Sequence, residues 1–108
     1  MKASFRVEIA ARAESDMRTI HDFIAQDKKR AAQKWLDGAL AQARSLRLFP
    51  YRYEQIPEAE ALGVDCRHII YGSYRIIYRV IDRRVRILRV IHAARQLTRA
   101  MLIAEPSS

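Results

Sequence analysis

The residues able to do chemistry crowd into one stretch. Between Arg67 and Arg99 stand nine arginines against a single acid, Asp82, whereas upstream eleven bases face ten acids, so nearly all of the net charge of +8 belongs to that stretch. Sixteen of the twenty basic residues are arginine, whose planar, permanently charged fork suits phosphates and carboxylates. A polyanion or an acidic protein is therefore the expected partner. Other reactive side chains are few. The single Cys66 has no partner for an internal disulfide, and His21, His68 and His92 are too far apart for any familiar metal spacing. No metal, cofactor or structural disulfide is expected.

Small ordered elements must position these arginines. With 108 residues, half of them apolar, the chain suits one domain over 1–108 with a modest core. Its longest apolar runs, Ile69-Ile70-Tyr71 and Ile76-Ile77-Tyr78, are far too short for a membrane span. The first ten residues carry Lys2, Arg6 and Glu8 without a secretory apolar stretch. The expected location is the cytoplasm.

Ser4–Ile9 alternates apolar and polar residues, which predicts a strand. Ala13, Met17, Ile20 and Ile24 recur at helical spacing, with acids near the start. After a break at Asp27 and Lys28, a second helical stripe runs from Ala32 through Trp35 to Leu46 and stops before Pro50. A helical hairpin is expected, then a loop from Pro50 to Val64 with short turns. Three β-rich runs follow, Cys66–Tyr71, Tyr74–Ile81 and Val85–His92, joined by Gly72-Ser73 and Asp82-Arg83-Arg84. Such short connectors require antiparallel hairpins. The predicted class is α+β: an N-terminal strand, a helical hairpin, a three-stranded antiparallel sheet, and a short helical tail from Leu97 to Ala104. The ordered core is expected over residues 4–97, with 105–108 frayed.

Strand parity divides this sheet into two faces. Ile76, Tyr78, Val80, Leu88 and Val90 would pack on the hairpin. Arg75, Ile77, Arg79, Ile81, Val85, Ile87, Arg89 and Ile91 would point the other way. A face both apolar and arginine-rich is unsuited to open water, so a partner is expected to cover it.

The order strand, helical hairpin, loop and three strands resembles that of the RelE/ParE toxin superfamily. The stretch Gly72–Val80 is similar to that family's third-strand entry, and Ile87–Arg95 to its last strand and following turn. Ala13–Ile24 and Ala31–Pro50 look like its hairpin, so the resemblance spans residues 4 to 97. It implies the toxin half of a type II toxin–antitoxin pair, as in plasmid stabilisation. The antitoxin would be ParD-like and acidic, folding on binding across Arg75, Ile77, Arg79, Ile81, Ile87, Arg89 and Ile91.

The superfamily's two branches differ in chemistry. RelE-type members cut ribosome-bound messenger RNA without metal, whereas ParE-type members block DNA gyrase by binding. Arg75 and Arg95 match the arginines that the RelE pattern sets against the scissile phosphate. The paired lysines of that pattern fall at Cys66 and His68, and its tyrosine falls near Met101. Cleavage through a ribose hydroxyl needs a proton acceptor and a proton donor besides positive charge. Arginine is a poor proton shuttle and methionine transfers no proton. His68 could serve as base or acid, at an ordinary pKa near 6.5. His92 is expected to be hydrogen-bonded at the sheet end, Cys66 to be a small strand residue, and Trp35 to belong to the core. The favoured reading is a non-enzymatic ParE-like gyrase inhibitor. The alternative is a metal-independent, ribosome-dependent endoribonuclease using Arg75, Arg95 and His68. A basic binding module outside any toxin system is a third reading. On either main reading Arg75 and Arg95 are expected on the solvent side or at a strand end.

Overall fold

In the computed structural model, residues 4–103 are described. The expected fraying of 105–108 lies outside them. The chain runs as strand β1 (Arg6–Ile9), helices α1 (Ala11–Ala25) and α2 (Lys29–Ser45), and a 3-10 turn (Pro50–Arg52). Then come helix α3 (Ala59–Leu62), strands β2 (Arg67–Tyr71), β3 (Tyr74–Ile81) and β4 (Arg84–His92), and helix α4 (Arg99–Leu102). No helix among the described residues is long and apolar enough to cross a membrane.

The sheet has four strands in the order β1-β4-β3-β2. The expected three-stranded antiparallel sheet is thus corrected to a mixed one. β1 lies parallel to β4, with Val7 opposite Val85 and Ile9 opposite Ile87, because the helical hairpin supplies the long crossover that a parallel pairing requires. β2, β3 and β4 are antiparallel neighbours. Each hairpin turn has two residues, Gly72-Ser73 and Asp82-Arg83, with Gly72 at φ 59 and Asp82 at φ 55. Glycine and aspartate are among the few residue types that accept this left-handed backbone readily.

One face of the sheet packs on α1 and α2. Ala13, Met17, Ile20, Ala39, Ala43 and Leu46 of the helices meet Ile69, Ile76, Tyr78, Val85, Ile87 and Val90. This corrects the expected faces of β4. A bulge between Ile77 and Tyr78 pairs them with Arg89 and Ile87, leaving Leu88 as the extra residue. The parity of β4 flips there, so Val85 and Ile87 enter the helix-facing core while Leu88 turns outward. Tyr78 Oη donates to the Pro50 carbonyl at 2.6 Å, pinning the loop that leaves α2, and its burial pushes the phenol up to about 12.

The second face is not left for a partner. Ile77 and Ile91 are buried there with Cys66 beneath Ile56, Ala59, Leu97 and Met101, so the chain folds α3 and the segment leading into α4 over its own sheet. Among the described residues, the end carrying Arg79 and Ile81 remains open, as does Ile70 on β2. The expected uncovered outer face is corrected accordingly.

Candidate functional site

Two arginines in the covering layer are held by carboxylates that the sequence did not reveal. Arg75, in β3, is 3% exposed. Its Nη1 and Nη2 reach Glu58 Oε1 and Oε2 at 3.0 and 2.5 Å, and Nη2 also donates to the Arg95 carbonyl at 2.8 Å. Glu58 accepts a further hydrogen bond from Leu97 N–H at 2.8 Å. One carboxylate therefore ties β3 to the loop before α3 and to the segment before α4. The hydrogen bonds from Arg75 hold Glu58 down at about 2, against the desolvation that alone would raise it.

Arg89 is the second. Its Nε and Nη2 bind Asp16 Oδ2 and Oδ1 at 2.8 and 2.9 Å, while Nη1 donates to the Met101 carbonyl at 3.1 Å. β1 stops opposite Ile87, which leaves the later part of β4 without a strand on that side. Asp16, from α1, fills the gap by accepting Val90 N–H at 2.9 Å. The backbone donor is satisfied where the ladder ends.

The other sequence candidates separate. His68 lies on β2 beside Arg75, with Nδ1 3.4 Å from Arg75 Nη1. Burial, then the neighbouring guanidinium, lowers its pKa, so the ring is neutral near pH 7. The Arg95 side chain is exposed, and only its carbonyl joins the Arg75 cluster. The expectation that Arg75 faces solvent is corrected, because its strand position points into the covering layer. His92 ends β4 in an exposed position, accepting Ala94 N–H at 3.1 Å and standing edge-on to Tyr74. Cys66 is buried, and burial pushes its thiol up, the opposite of what a nucleophile needs. Trp35 packs against the main core beside Tyr71 and Tyr74. Among the described residues no group of three or more His, Cys, Asp or Glu could hold a metal ion.

Of the seven residues expected to meet an antitoxin, Arg79 and Ile81 are exposed on the outer face. Arg75, Ile77, Arg89 and Ile91 are buried in the covering layer, and Ile87 lies in the opposite core. Next to Arg79 and Ile81 is a hollow of about 210 Å³, lined also by Arg12, Arg86, Leu88 and Ile103. Glu58 and Asp16 were the residues missed. The available signal was Arg75 and Arg89 among apolar strand residues, since a buried guanidinium requires a carboxylate. Nothing in the spacing says which acid supplies it.

The model of the ParE toxin of type II toxin–antitoxin systems, parDE, matches residues 7–97. Among solved structures, a chain of the chromosomal ParDE system from P. aeruginosa is similar at TM-score 0.68 and 15% identity, covering 84% of this chain and 98% of that one. A chain of the RelBE2 toxin–antitoxin complex from Mycobacterium tuberculosis is similar at TM-score 0.61 and 23% identity, covering 88% and 98%. No curated protein matches. With the family model covering most of the chain, from β1 through the residue at which Glu58 holds the final segment, the chain belongs to the ParE toxin family of type II toxin–antitoxin systems.

Proposed function

We propose that this ParE-family toxin arrests growth in the cytoplasm by binding DNA gyrase, without cutting RNA, and that a ParD-like antitoxin neutralises it. The observation that carries the reading is the Arg75–Glu58 pair. A nuclease must aim positive charge at the scissile phosphate and supply a proton acceptor and donor. Here the guanidinium best matched to that task is buried and paired with a carboxylate. His68 is turned to the same pair, and Cys66 is buried. Binding needs none of these groups. Expressed alone, the chain is expected to trigger DNA-damage signalling before protein synthesis falls. Rapid translational arrest without that signal would replace this reading with the ribonuclease one.

The antitoxin surface is narrower than the sequence implied. An acidic segment that folds on binding can lay apolar side chains on Ile81, Leu88 and Ile103 and carboxylates on Arg79 and Arg86. The M. tuberculosis relative is a toxin–antitoxin complex, which supports a partner of that kind.

A further inference from the structure

The end of the sheet away from the Arg75 cluster, bordering the hollow at Ile81, carries a second feature that the buried pairs do not use. There β1 begins, α2 has just ended and β3 turns into β4. Phe5 N–H donates to the Arg47 carbonyl at 2.8 Å, Arg6 N–H to the Arg83 carbonyl at 2.9 Å, and Arg83 Nη2 to the Ser4 carbonyl at 3.0 Å. Arg6 stands directly opposite Arg84 in the parallel register. Four exposed arginines, Arg6, Arg47, Arg83 and Arg84, are therefore gathered by backbone pairing. Among the described residues no carboxylate forms an ion pair with any of them. Like charges opposed across strands weaken a sheet, and the nearby Glu8 and Asp82, which line a hollow with Arg83 and Arg84, form no ion pair with these four arginines.

Aromatic rings are interleaved with this charge. Phe5 meets Tyr51 edge-on at 6.3 Å, and the Arg83 guanidinium lies 4.5 Å from the centre of the Phe5 ring. Arg67 sits 5.3 Å from the Tyr51 ring and donates to the Tyr53 carbonyl at 2.6 Å, which fixes the loop. Phe49 and Tyr51 are nevertheless 76% and 56% exposed. Phe49 holds φ at 52, a costly conformation for a residue with a side chain, and presents its ring to water at the same time. Neither burial nor backbone ease accounts for a phenylalanine there.

We propose that this end binds single-stranded nucleic acid, with phosphates on Arg6, Arg47, Arg83 and Arg84 and unpaired bases stacked on Phe49 and Tyr51. Sequence-tolerant binding of single strands combines these same two elements, a basic track and aromatic platforms. An acidic peptide would satisfy the arginines and leave the rings without a role. The surface is roughly 25 Å along β4 from the Arg75 cluster, so it is independent of how that cluster is read.

The test is fluorescence anisotropy of the purified full chain with labelled oligothymidylate of twenty nucleotides, a DNA that ribonuclease chemistry cannot cleave. Four phosphate contacts predict roughly fifty-fold weaker binding at 200 mM salt than at 50 mM. Phe49→Gly, which suits the left-handed backbone and so protects folding, is expected to weaken binding about tenfold. Arg47→Glu with Arg83→Glu is expected to weaken it more. Lys29→Glu with Lys34→Glu, the same charge change at the far end of α2, is expected to leave the affinity within about twofold. Absence of binding at 50 mM salt would overturn the proposal. So would equal losses in the two charge-reversed variants, an unchanged affinity in Phe49→Gly, or equally tight binding of a duplex or of polyglutamate.

Discussion

At the level of single residues, the buried Arg75–Glu58 pair carries the largest expected effect on stability. Removing one partner of a buried pair leaves an uncompensated charge and costs on the order of 3–5 kcal/mol. Arg75→Ala is therefore expected to lower stability strongly, as read by urea denaturation, whereas Arg95→Ala changes it by under about 0.5 kcal/mol. The pH dependence follows from signs. Glu58 is held at about 2, below its ordinary value of 4.5, so its contribution is complete above roughly pH 5 and is lost as pH falls towards 2. His68, lowered by burial, acts in the same sense, because its protonation below about pH 6.5 favours the unfolded chain. Against Glu58→Gln, the parent chain should show its full advantage at pH 7 and little by pH 2. A gap that stays constant across that range would show that Glu58 is not the charged anchor described. Arg75 was legible in the sequence as a special residue, but its role was not. The pattern exposed an arginine on a strand, while the carboxylate seventeen positions earlier sits in a loop with no periodicity to announce it.

The helices and strands were largely readable, because apolar spacing fixes which face of each element is buried. Ala13, Met17 and Ile20 face the core as their spacing requires. Two elements departed from expectation for reasons outside local pattern. β1 joined the sheet because its alternating face continued the one made by Val85 and Ile87, a long-range pairing that no local rule reports. β4 changed parity at Leu88 because a bulge adds a residue to one strand without a distinct sequence sign. Gly38 was not singled out by pattern either. A Cβ at that position would lie 1.9 Å from Tyr71 Oη, whose hydroxyl donates to the Trp35 carbonyl at 3.2 Å. Gly38→Ala would gain about 1 kcal/mol in helix propensity and lose about 1–3 kcal/mol to overpacking. We expect net destabilisation, seen as a lower Tm, and partial recovery when Tyr71→Phe removes the hydroxyl. A higher Tm for Gly38→Ala alone would show that the tyrosine swings aside freely.

For the whole molecule, the decisive feature is that much of the sheet is covered on both faces by its own chain, the end around Arg79 and Ile81 staying exposed together with Ile70 on β2. Arg79→Glu is expected to slow association with the cognate antitoxin about tenfold and to flatten its salt dependence, while folding is preserved because a new carboxylate would face Arg86 across the strands. Unchanged association kinetics would place the antitoxin elsewhere. Ile87→Asp is uninformative about docking, since Ile87 is wholly buried against the helices and a charge there would unfold the protein. The proposed inhibition by binding rests on the nuclease-like arginine being engaged internally. The most direct measurement sets the purified chain against DNA gyrase in a supercoiling assay and, at the same concentration, against ribosomes translating a defined messenger. Loss of supercoiling with the messenger intact is the expected result. Cleaved messenger with supercoiling untouched would contradict it.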